Sequence, residues 1–142
     1  MNTFTDDILF AHMFQHSDKP SECTATPWLY AENKQNFSST DFSGKWCVFV
    51  SPEEVNRVWN KVKKACSSSK LTFAKVSTNY SFGSHKKHVI CVYTKDYRDS
   101  ADLMAARDAL RKIGILEELG YKRDIDTRNN VYGENEWLLK SE

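Results

Sequence analysis

Long apolar runs, paired cysteines and an excess of charge of one sign are all missing from this 142-residue chain. No hydrophobic stretch approaches the roughly 20 residues that a bilayer-spanning helix requires, so no membrane association is expected. The net charge is +1, which excludes a global attraction to nucleic acid or anionic lipid, and any charged site must be local. The first residues include Asp6 and Asp7 and lack the basic region of a secretory signal, so we expect an intracellular protein, cytoplasmic or nuclear.

The four cysteines form no recognisable metal motif. There is no C-x-x-C pair, and no spacing between them resembles a zinc site. Cys47 and Cys91 lie within apolar, strand-like runs, and Cys66 ends an apolar helical stripe. We therefore expect reduced, buried thiols that pack as small hydrophobes, with no bound metal and no cofactor.

A strand, a helix and a second strand are predicted in the first half of the compact region. Residues 45–50 have the β-branched and aromatic composition of a strand. The Ser-Pro-Glu-Glu sequence that begins at Ser51 predicts a helix start, with a capping serine, a proline in the first helical position and a glutamate completing a capping box. Apolar residues then recur at helical spacing as far as Cys66, and residues 71–77 predict the next strand.

The second half follows a similar plan. Residues 87–94 are too apolar for a strand with one wet face, so they predict a central strand. Asp99 or Ser100 caps a second amphipathic helix, and Gly114 suits the position just beyond its end. Two further strands are predicted, at 120–125 and 136–140.

The N-terminal part is polar and interrupted by prolines. Residues 1–26 are predicted to be a separate segment with a short helix at 5–16, and residues 17–43 an extended arm that docks through its aromatic side chains. Residues 27–142 form a single predicted domain. The expected fold class is α+β, a curved and mainly antiparallel sheet with two long helices packed on one face, because each helix has a single apolar stripe. The other face would be left free for a ligand.

Several short motifs in a fixed order resemble a known family. They are Gly44-Lys45-Trp46, Ala74-Lys75-Val76-Ser77-Thr78, Ile90-Cys91-Val92-Tyr93-Thr94, Asp96-Tyr97-Arg98-Asp99 and Tyr121-Lys122-x-Asp124-x-x-Thr127. Together they are similar to the basophilic leukaemia expressed family, a largely uncharacterised eukaryotic group placed in the fold of the cap-binding translation initiation factor 4E. The resemblance covers roughly residues 27–139 and implies the 4E-like arrangement of one curved sheet and two long helices.

Classical cap binding in the 4E-like fold stacks a methylated guanine between two tryptophans and holds the phosphates with Lys and Arg. A carboxylate reads the edge of the base. In this chain Trp28 lies where a stacking residue can sit, whereas Trp59 is on the apolar helix stripe and is expected in the core. No second tryptophan with a nearby glutamate is evident, so classical cap recognition is not expected.

Basic residues at strand ends give the main functional lead. Lys75 and Lys122 each interrupt an alternating pattern where a hydrophobe is expected, so each needs a phosphate or a buried carboxylate. Trp28 or Tyr93 would supply a stacking surface. The predicted ligand-binding set is Lys75, Lys122, Arg98, Lys87, Arg123, Trp28, Tyr93 and His88. The competing interpretation is that the basic residues form solvated edges and pair with neighbouring aspartates.

Three functional hypotheses follow from these patterns. The preferred one is a small module that binds a phosphorylated small molecule, a nucleotide or an RNA end on the free face of the sheet. The second is an enzyme acting on a phosphate ester, with Lys75 or Lys122 as base and His88 as acid. The third is a protein-interaction module whose helix-covered face docks a partner, for which an exposed apolar patch beside Trp59 would be the sign. Catalytic residues are not assigned, and the question of enzymatic activity stays open.

Overall fold

The computed structural model describes residues 15–33, 37–80, 87–133 and 136–142. Its strands and helices, in chain order, are β1 (Trp28–Glu32), β2 (Gly44–Val50), α1 (Pro52–Ser67), β3 (Phe73–Ser77), β4 (His88–Thr94), α2 (Ser100–Lys112), β5 (Leu119–Arg123), α3 (Asp124–Arg128) and β6 (Leu139–Ser141). The helix predicted at 5–16 lies almost entirely outside the described residues. None of the helices in the described ranges is long and apolar enough to cross a membrane.

The six strands form one antiparallel sheet in the order β1-β3-β4-β2-β5-β6. The two most apolar strands, β2 and β4, are neighbours at its centre, as expected for residues that cannot tolerate a wet face. The predicted α+β class with a curved, antiparallel sheet is confirmed.

One face of the sheet packs against the two long helices and encloses the main core. Trp46 and Val48 of β2 are at most 1% exposed, and they meet buried residues of α1 such as Trp59. The indole Nε1 of Trp46 donates a hydrogen bond of 3.0 Å to the backbone carbonyl of Leu103 in α2. The helices therefore cover this face, as their apolar stripes predict.

The predicted helix ends are confirmed except for one contact. Ser51 is the N-cap of α1 and Pro52 follows it, but the serine side chain makes no capping bond. Glu54, which the capping-box pattern assigns to the N-cap, instead accepts a 2.8 Å hydrogen bond from Arg57 Nε one turn along the helix. The Ser51 side chain therefore adds no capping interaction at this end.

Both ends of α2 match the capping signals in the sequence. Asp99 accepts a hydrogen bond from the backbone N–H of Asp102, so it is the N-cap. Gly114 has φ +98°, and the backbone N–H of Ile115 bonds the carbonyl of Leu110 at 3.0 Å. This is a Schellman motif, in which a glycine adopts the left-handed conformation after the last helical turn.

The largest differences from the sequence prediction are at three places. Residues 28–32 form β1, an edge strand paired with β3, rather than part of an arm. The predicted strand at 120–125 ends at Arg123, because Asp124 begins the short helix α3. The last strand, β6, spans only 139–141 instead of beginning at residue 136.

Candidate ligand-binding site on the open face of the sheet

The face of the sheet opposite α1 and α2, called the open face here, includes two neighbouring rows of side chains that run across the strands and contain its lysines. Side chains alternate between faces along a strand, so residues in register across neighbouring strands share a face. The first row is Tyr30, Lys75, Cys91, Cys47, Gly120 and Lys140. The second row is Glu32, Phe73, Tyr93, Lys45 and Lys122. Of the four lysines in these rows, Lys45, Lys75 and Lys122 lie on the inner strands β2, β3 and β5, and Lys140 lies on the edge strand β6.

A pocket of about 480 Å³ opens on this face. It is lined by Tyr30, Phe37, Ser39, Lys45, Phe73, Lys75, Tyr93, Asp124, Thr127 and Arg128. Its apolar wall is aromatic: the rings of Phe37 and Phe73 stack with centroids 5.0 Å apart and planes 12° apart, and Tyr93 lies 5.3 Å from Phe73. Tyr30 is 62% exposed at the rim, so most of its side chain is accessible to a ligand.

Lys45 and Asp124 form a buried ion pair at the polar end of the pocket. Lys45 Nζ lies 2.8 Å from Asp124 Oδ1 and 2.7 Å from the hydroxyl of Thr127. The other carboxylate oxygen accepts hydrogen bonds from Ser43 at 2.6 Å and from Ser39 at 2.8 Å. Both oxygens of Asp124 therefore have hydrogen-bond partners within the protein. The ion pair holds Lys45 in place, and the carboxylate is not free to bind a ligand.

Lys122 stands directly across from Lys45 on β5, and it too has an acidic partner. Its ammonium lies 3.5 Å from Glu136 Oε2 and 3.6 Å from the centre of the Tyr132 ring. The side chain is almost fully buried. The hydrophobe expected at this position is thus replaced by a lysine whose charge is balanced by a nearby carboxylate.

Lys75 differs from the other two lysines. Its ammonium lies 3.8 Å from the centre of the Trp28 ring and 6.0 Å from that of Tyr93. In the described part of the chain it contacts no carboxylate, and partial burial lowers its pKa from the ordinary lysine value. Cation–π contact compensates part of the lost hydration. The open face therefore has a positive charge at Lys75 that its own side chains do not neutralise.

Arg128 places a third basic side chain, after Lys45 and Lys75, at the edge of the pocket. Its guanidinium donates to the backbone carbonyl of Thr40 at 3.1 Å and to the carboxylate of Asp41 at 2.8 Å. Both Arg128 and Asp41 are exposed. An exposed pair of this kind is weak, so a ligand can compete for the guanidinium.

The structure brings together only some of the residues predicted from the sequence. Lys75 and Tyr93 line the pocket, Trp28 lies against the Lys75 ammonium, and Lys122 lies on the same face one strand beyond Lys45. Lys87 borders a separate groove with Trp137. These positions leave Lys75 at the centre of the candidate site.

Arg98, Arg123 and His88 lie away from the pocket. Arg98 is held by the carboxylate of Asp96 at 2.8 Å, and Arg123 by that of Asp126 at 2.7 Å. His88 is 2% exposed, shares the helix-covered side of β4 by strand alternation, and bonds the Ser77 carbonyl through Nδ1 at 2.7 Å. The Lys–His arrangement needed for phosphate-ester chemistry is therefore not formed with His88.

The groove between the ends of the two long helices is rich in lysine. A groove of about 470 Å³ lies between the ends of α1 and α2, and its lining includes Lys61, Lys64, Lys70 and Lys112. Trp59 is 1% exposed, and none of the exposed large hydrophobic residues in the described ranges belongs to α1. The apolar patch that would mark a partner-docking surface beside Trp59 is not formed by the described residues.

Comparison with known proteins identifies the family from the central part of the chain. Residues 38–132, more than half of the sequence, match the model of the basophilic leukemia-expressed protein Bles03. The chain belongs to the Bles03 family. The match spans β2 to α3, so it includes Lys45, Lys75 and Asp124 of the pocket.

Solved structures that resemble this Bles03-family chain belong to translation initiation factor 4E. A Schistosome eIF4E complexed with m7GpppG and 4E-BP has a TM-score of 0.66 and 13% identity, over 98% of this chain and 80% of that one. C. elegans eIF4E-3, in complex with the 4E-binding protein Mextli and a cap analog, has a TM-score of 0.54 and 18% identity, over 70% of this chain and 57% of that one. At these identities the likeness establishes the 4E-like fold, and this chain spans little more than half the length of the nematode protein.

The tryptophans of the Bles03-family chain do not form the paired stack of classical cap binding. Trp46 and Trp59 are in the core, and Trp28 already faces Lys75. Trp137 packs on the other side of the open face, where a Cβ on Gly120 would come within 2.5 Å of its ring. Among the described residues, no two of these indoles lie face to face across the pocket.

Sequence reasoning missed Lys45, Asp124, Thr127 and Arg128 as pocket residues. Lys45 breaks an apolar strand in the same way as Lys75, so that signal was available in the sequence. Asp124 and Thr127 are within a motif that carries the family resemblance, but nothing local indicates that they meet Lys45. Their association depends on the pairing of β2 with β5.

Proposed function

We propose that this chain binds a phosphorylated, nucleotide-like ligand in the pocket beside Lys75. The observation that carries the proposal is the half-buried Lys75 ammonium, which contacts aromatic rings and, among the described residues, no carboxylate. Lys45 and Lys122, on the same face, each have an acidic partner. A cation that is partly removed from water without a counterion is costly, and a phosphate oxygen would compensate that cost.

The aromatic wall suits a planar group attached to the phosphate. Phe73 and Tyr93 lie beside Lys75, and the exposed ring of Tyr30 extends the same wall. Base–aromatic stacking contributes about 1–3 kcal/mol per base and tolerates any base, because each has a π-face. A ligand with a base on this wall and phosphates between Lys75 and Arg128 would use both parts of the pocket.

Solved structures that have the same fold and a bound nucleotide support the proposal that the ligand is nucleotide-like. The Schistosome protein was crystallised with m7GpppG, and Ascaris suum eIF4E-3 with an m2,2,7G cap. The Ascaris protein has a TM-score of 0.52 and 14% identity, and the match covers 69% of this chain and 57% of that one. The specific ligand of this chain is inferred from its own pocket.

Replacing Lys75 by methionine is expected to weaken binding of a nucleoside triphosphate by about 10- to 100-fold. A hydrogen bond to a charged group contributes about 1.5–3 kcal/mol, and about 1.4 kcal/mol corresponds to a factor of ten. Titration of the full chain with GTP, followed by calorimetry, measures the change. Methionine keeps the length and apolar stem of the side chain, so the pocket wall is preserved.

Lys140→Met is the matched control for Lys75→Met. Lys140 lies in the same cross-strand row but is exposed at the far edge of the sheet. Its loss removes the same charge and should change the affinity less than about threefold, because exposed charges at a distance are screened by salt. Equal losses in both variants, or no saturable GTP binding to the native chain, would refute the proposed site.

Methylation of guanine at N7 is expected to change affinity by less than about threefold when m7GTP is compared with GTP. The described tryptophans form no paired stack, and both oxygens of Asp124 are already engaged by Lys45 and serines. The pocket thus lacks the cation–π sandwich and the free carboxylate that favour the methylated base. A preference of tenfold or more for m7GTP in the same calorimetric titration would contradict this arrangement.

A further inference from the structure

Cys47 and Cys91 stand directly opposite each other on the two central strands. Their positions are in register between β2 and β4, and both lie in the first row of the open face. Cys47 is 7% exposed and Cys91 is 5% exposed, and neither forms a disulfide. Both side chains belong to one small buried cluster that also includes Tyr93. The remaining cysteines, Cys23 and Cys66, are not in this row.

The spacing of opposite residues in an antiparallel pair is compatible with a disulfide. Such residues have Cα atoms about 4.5–5.5 Å apart, whichever type of ladder position they occupy. Disulfides span Cα separations of about 4.4–6.8 Å. The bond can therefore form within the sheet without separating the strands or changing their register.

The two thiols have different surroundings, which gives them different roles. Lys75 is in register with Cys91 on its other side, so the ammonium lies in the same row. Hydrogen bonding with Cys47, assisted by the charges of Lys75 and Lys45, lowers the pKa of Cys91 against the effect of burial. The same hydrogen bond raises the pKa of Cys47 well above the ordinary thiol value. Because the Lys75 ammonium is in register with Cys91, Cys91 is assigned as the thiolate former and Cys47 as its partner thiol.

A small oxidant can approach the pair from the solvent at Cys47. Cys47 borders a groove of about 300 Å³ that is also lined by Gly120 and Trp137. Because Gly120 has no side chain, the Trp137 ring lies close to β5 next to Cys47. The indole is therefore well placed to report a change at the thiols.

We propose that Cys47 and Cys91 form a reversible, peroxide-sensitive dithiol site in the floor of the open face. In the first step the Cys91 thiolate attacks one oxygen of hydrogen peroxide, the O–O bond breaks, and sulfenic acid and hydroxide form. In the second step the sulfur of Cys47 attacks the sulfur of the sulfenic acid, the S–O bond breaks, and the disulfide and water form. The proton of Cys47 and the one earlier released by Cys91 end in water. The two thiols lose two electrons in total, and one peroxide is reduced to two waters.

The test is peroxide treatment of the reduced full chain, followed by alkylation and peptide mass mapping. We expect a crosslinked Cys47–Cys91 peptide pair that dithiothreitol restores to free thiols. Loss of free Cys91 should be at least about tenfold faster than loss of Cys66, whose pKa burial raises to about 12. The disulfide is measured without any nucleotide present, so the result does not depend on whether the pocket binds a ligand.

Two variants separate the proposed steps. Cys47→Ser should leave Cys91 as a sulfenic acid that dimedone traps, with no intramolecular disulfide, whereas Cys66→Ala should leave crosslinking unchanged. Peptide mapping of the native chain tests disulfide formation even if a variant folds poorly. Slow oxidation of Cys91 at the rate of Cys66, pairing with another cysteine, or direct conversion to sulfinic acid without a crosslink would each overturn the proposal.

Discussion

Replacing Asp124 by asparagine is expected to lower the free energy of unfolding by about 3–5 kcal/mol. Asparagine keeps the shape of the side chain and can still bond the serine hydroxyls, so the change removes mainly the negative charge. The ammonium of Lys45, 7% exposed, would then be buried with no counterion at 2.8 Å. Breaking one side of a buried pair costs more than the pair contributes, because the remaining charge is left uncompensated. Urea denaturation followed by far-UV circular dichroism measures the loss.

Two further variants show whether the effect comes from the unpaired charge. Lys45→Met combined with Asp124→Leu removes both charges and should recover most of the stability, since apolar replacement of a buried pair is often neutral. Asp41→Asn breaks the exposed pair with Arg128 and should change the free energy by less than about 1 kcal/mol. If Asp124→Asn costs no more than Asp41→Asn, the Lys45–Asp124 pair is not the buried interaction described above.

The parts of the fold that were predictable are those with a strong local signal. Both long helices follow from an apolar stripe that repeats over several turns, and Gly114 marks the end of α2 by a conformation that other residues avoid. Edge strand β1 has five residues near two prolines, so its pattern is too short to distinguish from an arm. Its strand structure depends on pairing with β3, more than 40 residues later in the chain. Pairing of that kind is decided by tertiary contacts and not by local preference.

The same distinction explains which site residues were found. Lys75 is recognisable because a lysine interrupts an apolar strand, and Tyr93 because it alternates with core residues. Lys45 gives a similar signal, but its partner Asp124 is 79 residues away and cannot be identified locally. Arg98 and Arg123 have carboxylates two and three residues away, and these neighbours hold their guanidinium groups. A nearby aspartate in the sequence is therefore a reason to assign such an arginine to local structure.

Replacing Trp46 by alanine is expected to lower the free energy of unfolding by about 3–5 kcal/mol. The indole is fully buried between the central strand β2 and helix α2, and its ring meets Tyr121 edge to face with centroids 5.3 Å apart. Truncation leaves a cavity where the sheet and both helices meet, and the rigid strands on either side limit how far it can close. Equilibrium denaturation in urea, monitored by far-UV circular dichroism because the variant loses a fluorophore, gives the change.

The Trp46→Phe variant distinguishes the stability lost through the cavity from the stability lost with the hydrogen bond. Phenylalanine fills much of the space but cannot donate to the Leu103 carbonyl, which lies 3.0 Å from the indole nitrogen. The expected loss is about 1–2 kcal/mol, the sum of one neutral hydrogen bond and a small volume change. If Trp46→Phe lowers the free energy of unfolding as much as Trp46→Ala does, the hydrogen bond to α2 is the dominant contribution of this side chain. If Ala costs less than about 1 kcal/mol, the helix can collapse onto the sheet, and Trp46 does not determine their separation.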